Sequence, residues 1–181
     1  MRKLLFILVC FVSLNSFSQD NSERYTYFFE KGKKSFESGT HKETLNYFKE
    51  AYEADSTKSE VAMYYGICTM QEALIYYRLR DKFFSSWNSG LNMTNRAFSE
   101  NSELEITGRK YVINNYSSFV QKFSLCDYYT KAEVQSFFDD AFRQIEILKS
   151  LPNYEQGSID RAEAKIKQRY DIFRFEMKGC K

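Results

Sequence analysis

After the first twenty residues, large apolar side chains recur every three or four positions almost without a break, and that spacing is helical. Tyr25, Phe28, Phe29, Gly32 and Phe36 share one side of a segment that predicts a first helix from about Glu23 to Glu37, stopped by Gly39. Thr40-His41-Lys42-Glu43 has the form of a capping box and opens a second helix to Ala54, with Thr44, Leu45, Phe48, Ala51 and Tyr52 on its apolar side. Beyond the polar turn Asp55 to Lys58, a third helix carries Val61, Tyr65 and Cys68 on one line and Ala62, Thr69 and Ala73 on the next. A fourth shows Phe84, Trp87, Leu91, Thr94 and Phe98. A fifth, from about Glu103 to Phe123, shows Leu104, Gly108, Tyr111, Val112 and Phe119. A second box, Thr130-Lys131-Ala132-Glu133, opens a sixth helix that Leu151-Pro152-Asn153 ends. The last begins near Ser158 and aligns Ile159, Ala162, Ile166, Tyr170, Phe173 and Met177. Pro152 is the only proline, and no stretch alternates with the period of a strand. The pattern predicts an all-α fold of about seven helices, antiparallel hairpins arranged as a short solenoid or an irregular bundle.

The first twenty residues follow a different rule. Met1-Arg2-Lys3 is a basic head, Leu4 to Leu14 is apolar apart from Ser13, and Asn15 to Asp20 is polar. An apolar run of about eleven residues is too short to span a bilayer but suits a secretory signal. Ser16 and Ser18 sit in the small-x-small arrangement of a cleavage site, so residues 1–18 are expected to be a signal peptide and 19–181 a single domain. Leu8-Val9-Cys10 lacks the small residue that lipidation needs before the cysteine. A bacterial export signal of this kind implies a periplasmic, secreted or cell-surface location, with no transmembrane helix after cleavage.

Removing the leader changes the charge. The chain has 26 basic and 24 acidic side chains, and Arg2 and Lys3 leave with the signal, so the mature chain is balanced at 24 against 24. A nucleic-acid partner, which calls for a basic excess, is not expected. Of the four cysteines, Cys68, Cys126 and Cys180 remain. Cys68 lies on the apolar face of its helix and is expected as a buried thiol. Cys126 and Cys180 are the candidate disulfide, which would tie the last helix to an interhelical loop. None has the close paired spacing of a zinc or redox site.

A period emerges on closer inspection, because Gly32 and Gly66 are 34 residues apart. Gly32, Phe36 four residues on, Gly39 at the turn, Thr44, Phe48, Ala51 and Ser56 together resemble a tetratricopeptide-repeat hairpin. Ala62, Gly66, Met70 and Ala73 continue it, so the resemblance covers about Tyr25 to Ala73. In strict register Arg78, Lys82 and Ser85 would stand where Thr44, Phe48 and Ala51 stood. The second hairpin's return helix is therefore expected to be shifted, with Gly90, Thr94 and Ala97 at the crossing. The resemblance implies a protein or peptide partner.

Candidate chemistry is sparse. His41, the only histidine, opens a helix beside Lys42 and reads as a surface residue. There is no phosphate loop, nucleophile elbow or HExxH motif, and Asp139, Asp140 and Glu146 read as a solvated face. No cofactor, metal or catalytic residue is expected. Aromatic residues make 18% of the chain, and most are expected in the core, but tyrosines can also offer a hydroxyl to a ligand while half-buried. Tyr27, Lys31, Tyr64, Arg78 and Asn115 are the candidate partner-binding face, on a surface of alternate helices. The expected function is a non-enzymatic interaction or scaffold module of the bacterial envelope. Binding of a small ligand or glycan in an aromatic groove is the alternative, and a hydrolase built from scattered acids a third reading.

Overall fold

The computed structural model describes residues 21–121 and 128–176. The candidate signal peptide, Cys126 and Cys180 lie outside the described residues, as does the side chain of His41. The helices are α1 over 21–38, α2 His41–Ala54, α3 Ser59–Ala73, α4 Arg80–Glu100, α5 Glu105–Val120, α6 Lys131–Ser150 and α7 Asp160–Glu176. Short 3-10 turns, Leu74–Tyr76 and Ser102–Leu104, lead into α4 and α5. No strand occurs among the described residues, and the fold is all-α. No helix among them is long and apolar enough to cross a membrane.

The helices lie in two rows. Consecutive pairs are antiparallel hairpins: Arg24 reaches Glu50 between α1 and α2, Ser59 bonds Glu100 between α3 and α4, and Tyr116 bonds Asp140 between α5 and α6. Odd-numbered helices then touch one another. Phe29 and Phe36 of α1 pack on Tyr64 of α3, Asn115 of α5 bonds Ile67 of α3, and α7 packs on α5. Even-numbered helices meet along the other row, where Arg96 of α4 bonds the Tyr52 hydroxyl of α2 at 2.8 Å and Trp87 of α4 packs on Phe137 of α6 at 4.9 Å.

Small residues set the spacing of the first two hairpins. Gly32 faces the fully buried Phe48, and a Cβ there would come within 2.6 Å of that ring. Gly66 and Gly90 bring the backbones of α3 and α4 into contact, with Thr94 and Ala97 buried beside them. The shifted crossing expected for the second hairpin is thus where the chain places it. With α1, α2, α4 and α5 around it, α3 is buried on nearly every side, which explains why its apolar residues do not form a single stripe.

Local signals differ in how they are used. Thr130 and Glu133 form the expected capping box, each side chain accepting from the other's backbone N–H, at 3.3 and 2.9 Å. The box expected at Thr40 and Glu43 is not made. Gly39 ends α1 with a left-handed φ of 79°, and the tight turn points the Thr40 hydroxyl back to Ser35 Oγ at 2.6 Å. Thr44, buried at the crossing, joins the same hydroxyl cluster. On α4 the core residue is Phe83, which stacks on Phe119 with ring centres 4.3 Å apart, and the expected Phe84 stays half-exposed. Phe83 lies four residues before Trp87 on the same face, where Leu91, Thr94 and Phe98 are buried as expected.

Candidate functional site

The five residues expected to form a binding face do not come together. Asn115 is buried at 4% exposure, and its amide donates to the Ile67 carbonyl at 3.2 Å, so it holds α5 to α3. Tyr64 lies half-buried among rings, stacked on Phe48 at 5.0 Å and edge-on to Phe36 at 5.3 Å. Arg78 sits on the turn before α4 with its Nε bonded to the Tyr77 hydroxyl. Tyr27 and Lys31 remain as an exposed pair on α1, the ammonium 4.5 Å above the Tyr27 ring and 5.7 Å from Tyr47 of α2. A side-chain hydrogen bond with Tyr27 raises the pKa of Lys31, and the ammonium also makes a local cation–π contact with that ring. Packing between adjacent helices consumes what the tyrosine spacing had suggested for ligand contact.

A larger feature lies on the even-numbered row. Two hollows of about 530 and 370 Å³ open between α4 and α6 and meet at Arg143, which lines both. One wall is a stripe of α4: Phe84, Asn88, Leu91, Asn95 and Ser99. The other is a stripe of α6: Glu133, Ser136, Asp140, Arg143 and Ile147. Both stripes keep the three- and four-residue steps of one helix face. From Phe84 to Ser99 the trench runs about 22 Å at 1.5 Å per residue.

Its floor changes character along that length. At one end Trp87, Tyr116 and Phe137 form a mutually packed aromatic base, with ring centres 4.7 to 4.9 Å apart. The Tyr116 hydroxyl donates to Asp140, which also holds Arg143. Burial, reinforced by the Asp140 charge, pushes the Tyr116 pKa up, so the phenol stays protonated as the donor. At the other end the buried Arg109 bonds Glu105 at 2.6 and 2.8 Å and also donates to Gln144. The Arg143 side chain, 63% exposed, stands at the junction. Glu133 closes the aromatic end, and its pair with Arg80 and the cap on Thr130 overcome its burial and hold its carboxyl below the ordinary range.

The acids that had suggested a third reading do not converge. Asp140 is held by Tyr116 and Arg143, Asp139 accepts from Gln135 at 2.7 Å, and Glu146 is exposed. Asn88, Asn95, Ser136 and Arg143, which line the trench, were not singled out by sequence. The available signal was a polar residue recurring on the apolar face of α4, Asn88 and Asn95 seven apart with Leu91 between. No protein-family model, curated protein or solved structure matches this chain.

Proposed function

We propose that the chain is an exported, non-enzymatic interaction module of the bacterial envelope, a short tetratricopeptide-like stack that holds an amphipathic helical segment of a partner protein in the trench between α4 and α6. The observation that carries this reading is the pair of hollows in line between α4 and α6, sharing Arg143, spanning about four helical turns and bounded by one stripe from each of the two helices. Its graded lining suits a segment with an apolar residue against the half-exposed Phe84 and an acid near Arg143. The two-row order of the helices supports the repeat-like stack, and the pattern of Met1 to Asp20 supports export. The wider hollow has the volume of a small-ligand site, which keeps the glycan alternative in view. A sugar would stack on an open ring face, however, and Trp87 is only 2% exposed.

Photocrosslinking groups placed at Asn88 and Ser136, on opposite walls, test the proposal in cells. Adducts from both positions should map to one segment of one protein, and a group at Ala164 on α7 should give none. Adducts from the two walls that share no partner segment would overturn it.

A further inference from the structure

We infer that the end of the stack formed by the α3–α4 turn, the start of α6 and the end of α7 docks on an anionic lipid surface. Five large apolar side chains stand exposed on the described residues, and four are at this end: Ile75 at 72%, Leu79 at 58%, Tyr128 at 39% and Phe175 at 77%. The Tyr77 and Tyr128 rings meet edge to face and join the α3–α4 turn to the approach to α6. Gln135 bonds the Tyr170 hydroxyl and Phe138 packs on Phe173, which places the end of α7 beside the first turns of α6. Tyr27, the fifth, lies near the start of α1 at the opposite end.

Charge selects the occupant. Arg78 is bonded to the Tyr77 hydroxyl at 2.8 Å, and the Lys82 ammonium sits 3.5 Å above the Tyr76 ring. Neither cation is in an ion pair among the described residues. Lys131 is exposed beside them, and Arg174 lies over Tyr170. Of the acids at this end, Asp81 and Glu133 are both engaged by Arg80, Glu72 accepts from the Tyr76 hydroxyl at 3.5 Å, and Glu176 is the last residue of α7, so Arg78, Arg80, Lys82, Lys131 and Arg174 still outnumber them. Aliphatic tips between half-exposed tyrosines, with unpaired cations on the same turn, match the depth profile of a bilayer edge. Ile75 and Leu79 would enter the acyl boundary, the phenols would sit at the headgroups, and Arg78 and Lys82 would meet lipid phosphate. An apolar protein patch would leave those cations without partners. The surface adjoins the Phe84 and Glu133 end of the trench, but no residue of 74–82 lines the trench walls, so exchange in that turn reports lipid docking separately from segment binding.

Amide hydrogen exchange of the full chain with and without vesicles tests this, because its readout is local and any binding through Leu4 to Leu14 would not register in the turn. Phosphatidylglycerol and phosphatidylethanolamine vesicles should slow exchange over 74–82 at least five-fold, and phosphatidylcholine vesicles should not. The pairs Ile75→Ser with Leu79→Ser, and Arg78→Gln with Lys82→Gln, should each abolish the slowing with thermal unfolding unchanged. Vesicle association that leaves exchange over 74–82 unaltered, or equal slowing in either double variant, would overturn the inference.

Discussion

Gly66 and Gly90 hold α3 and α4 together by backbone contact: a methyl group on Gly66 would lie 2.6 Å from the Gly90 carbonyl oxygen, and one on Gly90 would lie 2.5 Å from that of Gly66. Backbone cannot turn aside as a side chain can. Alanine at either position gains up to about 1 kcal/mol of helix propensity but must push the helices apart. We expect Gly66→Ala or Gly90→Ala to cost about 3 kcal/mol net and to lower the melting temperature by roughly 10 °C. Gly39→Ala meets no atom within 4 Å, and its cost of about 1 kcal/mol should come from the left-handed φ alone. Thermal unfolding of the three variants checks the order.

Asn115 should behave as a fastener between helices. Asn115→Ala leaves the Ile67 carbonyl without its cross-helix donor and opens a small void, so a loss of about 1–2 kcal/mol is expected in denaturant unfolding. Partner recovery measured well below the midpoint should not change.

Glu133 links stability to pH. Its carboxyl is held below the ordinary value of 4.5 by Arg80 and Thr130, so the stabilisation is fully present above the unfolded pKa. It is lost as pH falls through the lowered, folded value. Unfolding of Glu133→Gln against the unaltered chain should show a constant gap from neutral pH down to about pH 5 and a closing gap below about pH 4.5. Thr130→Ala should cost about 1 kcal/mol at neutral pH.

The Cys68 thiol is 3% exposed, and burial pushes its pKa up to about 12. At pH 8 the folded protein should leave the Cys68 peptide unmodified by iodoacetamide, and full modification should appear in denaturant. Peptide mass spectrometry distinguishes the two.

Much of this architecture is legible in the residue pattern. The helices fall where the three- and four-residue spacing puts them, and the glycines mark the crossings because no other side chain fits between touching backbones. Two local details were not legible. Thr40 carries the same box motif as Thr130, but the tight Gly39 turn brings Ser35 within reach first. Phe83 and Phe84 are adjacent and equally apolar, at four and three residues before Trp87, and only the position of Phe119 and Phe137 on neighbouring helices decides which one is buried. The five residues Tyr27, Lys31, Tyr64, Arg78 and Asn115 fall apart for a related reason. Periodicity assigns a residue to a side of its own helix, but it does not say whether the neighbouring helix covers that side, as α3 covers Asn115, or leaves it open, as α4 and α6 leave theirs.

The trench is tested most directly by crosslinking recovery from Ser136 in chains that also carry Asn88→Arg or Arg143→Glu. Asn88 is exposed and makes no side-chain bond among the described residues, so Asn88→Arg should melt within about 2 °C of the parent, whereas Arg143→Glu loses the Asp140 pair and is assayed well below its own melting temperature. Recovery of the crosslinked partner segment should fall at least ten-fold in each, and Lys165→Glu on α7 should leave it unchanged. Undiminished recovery with Asn88→Arg and Arg143→Glu would contradict a partner seated between α4 and α6.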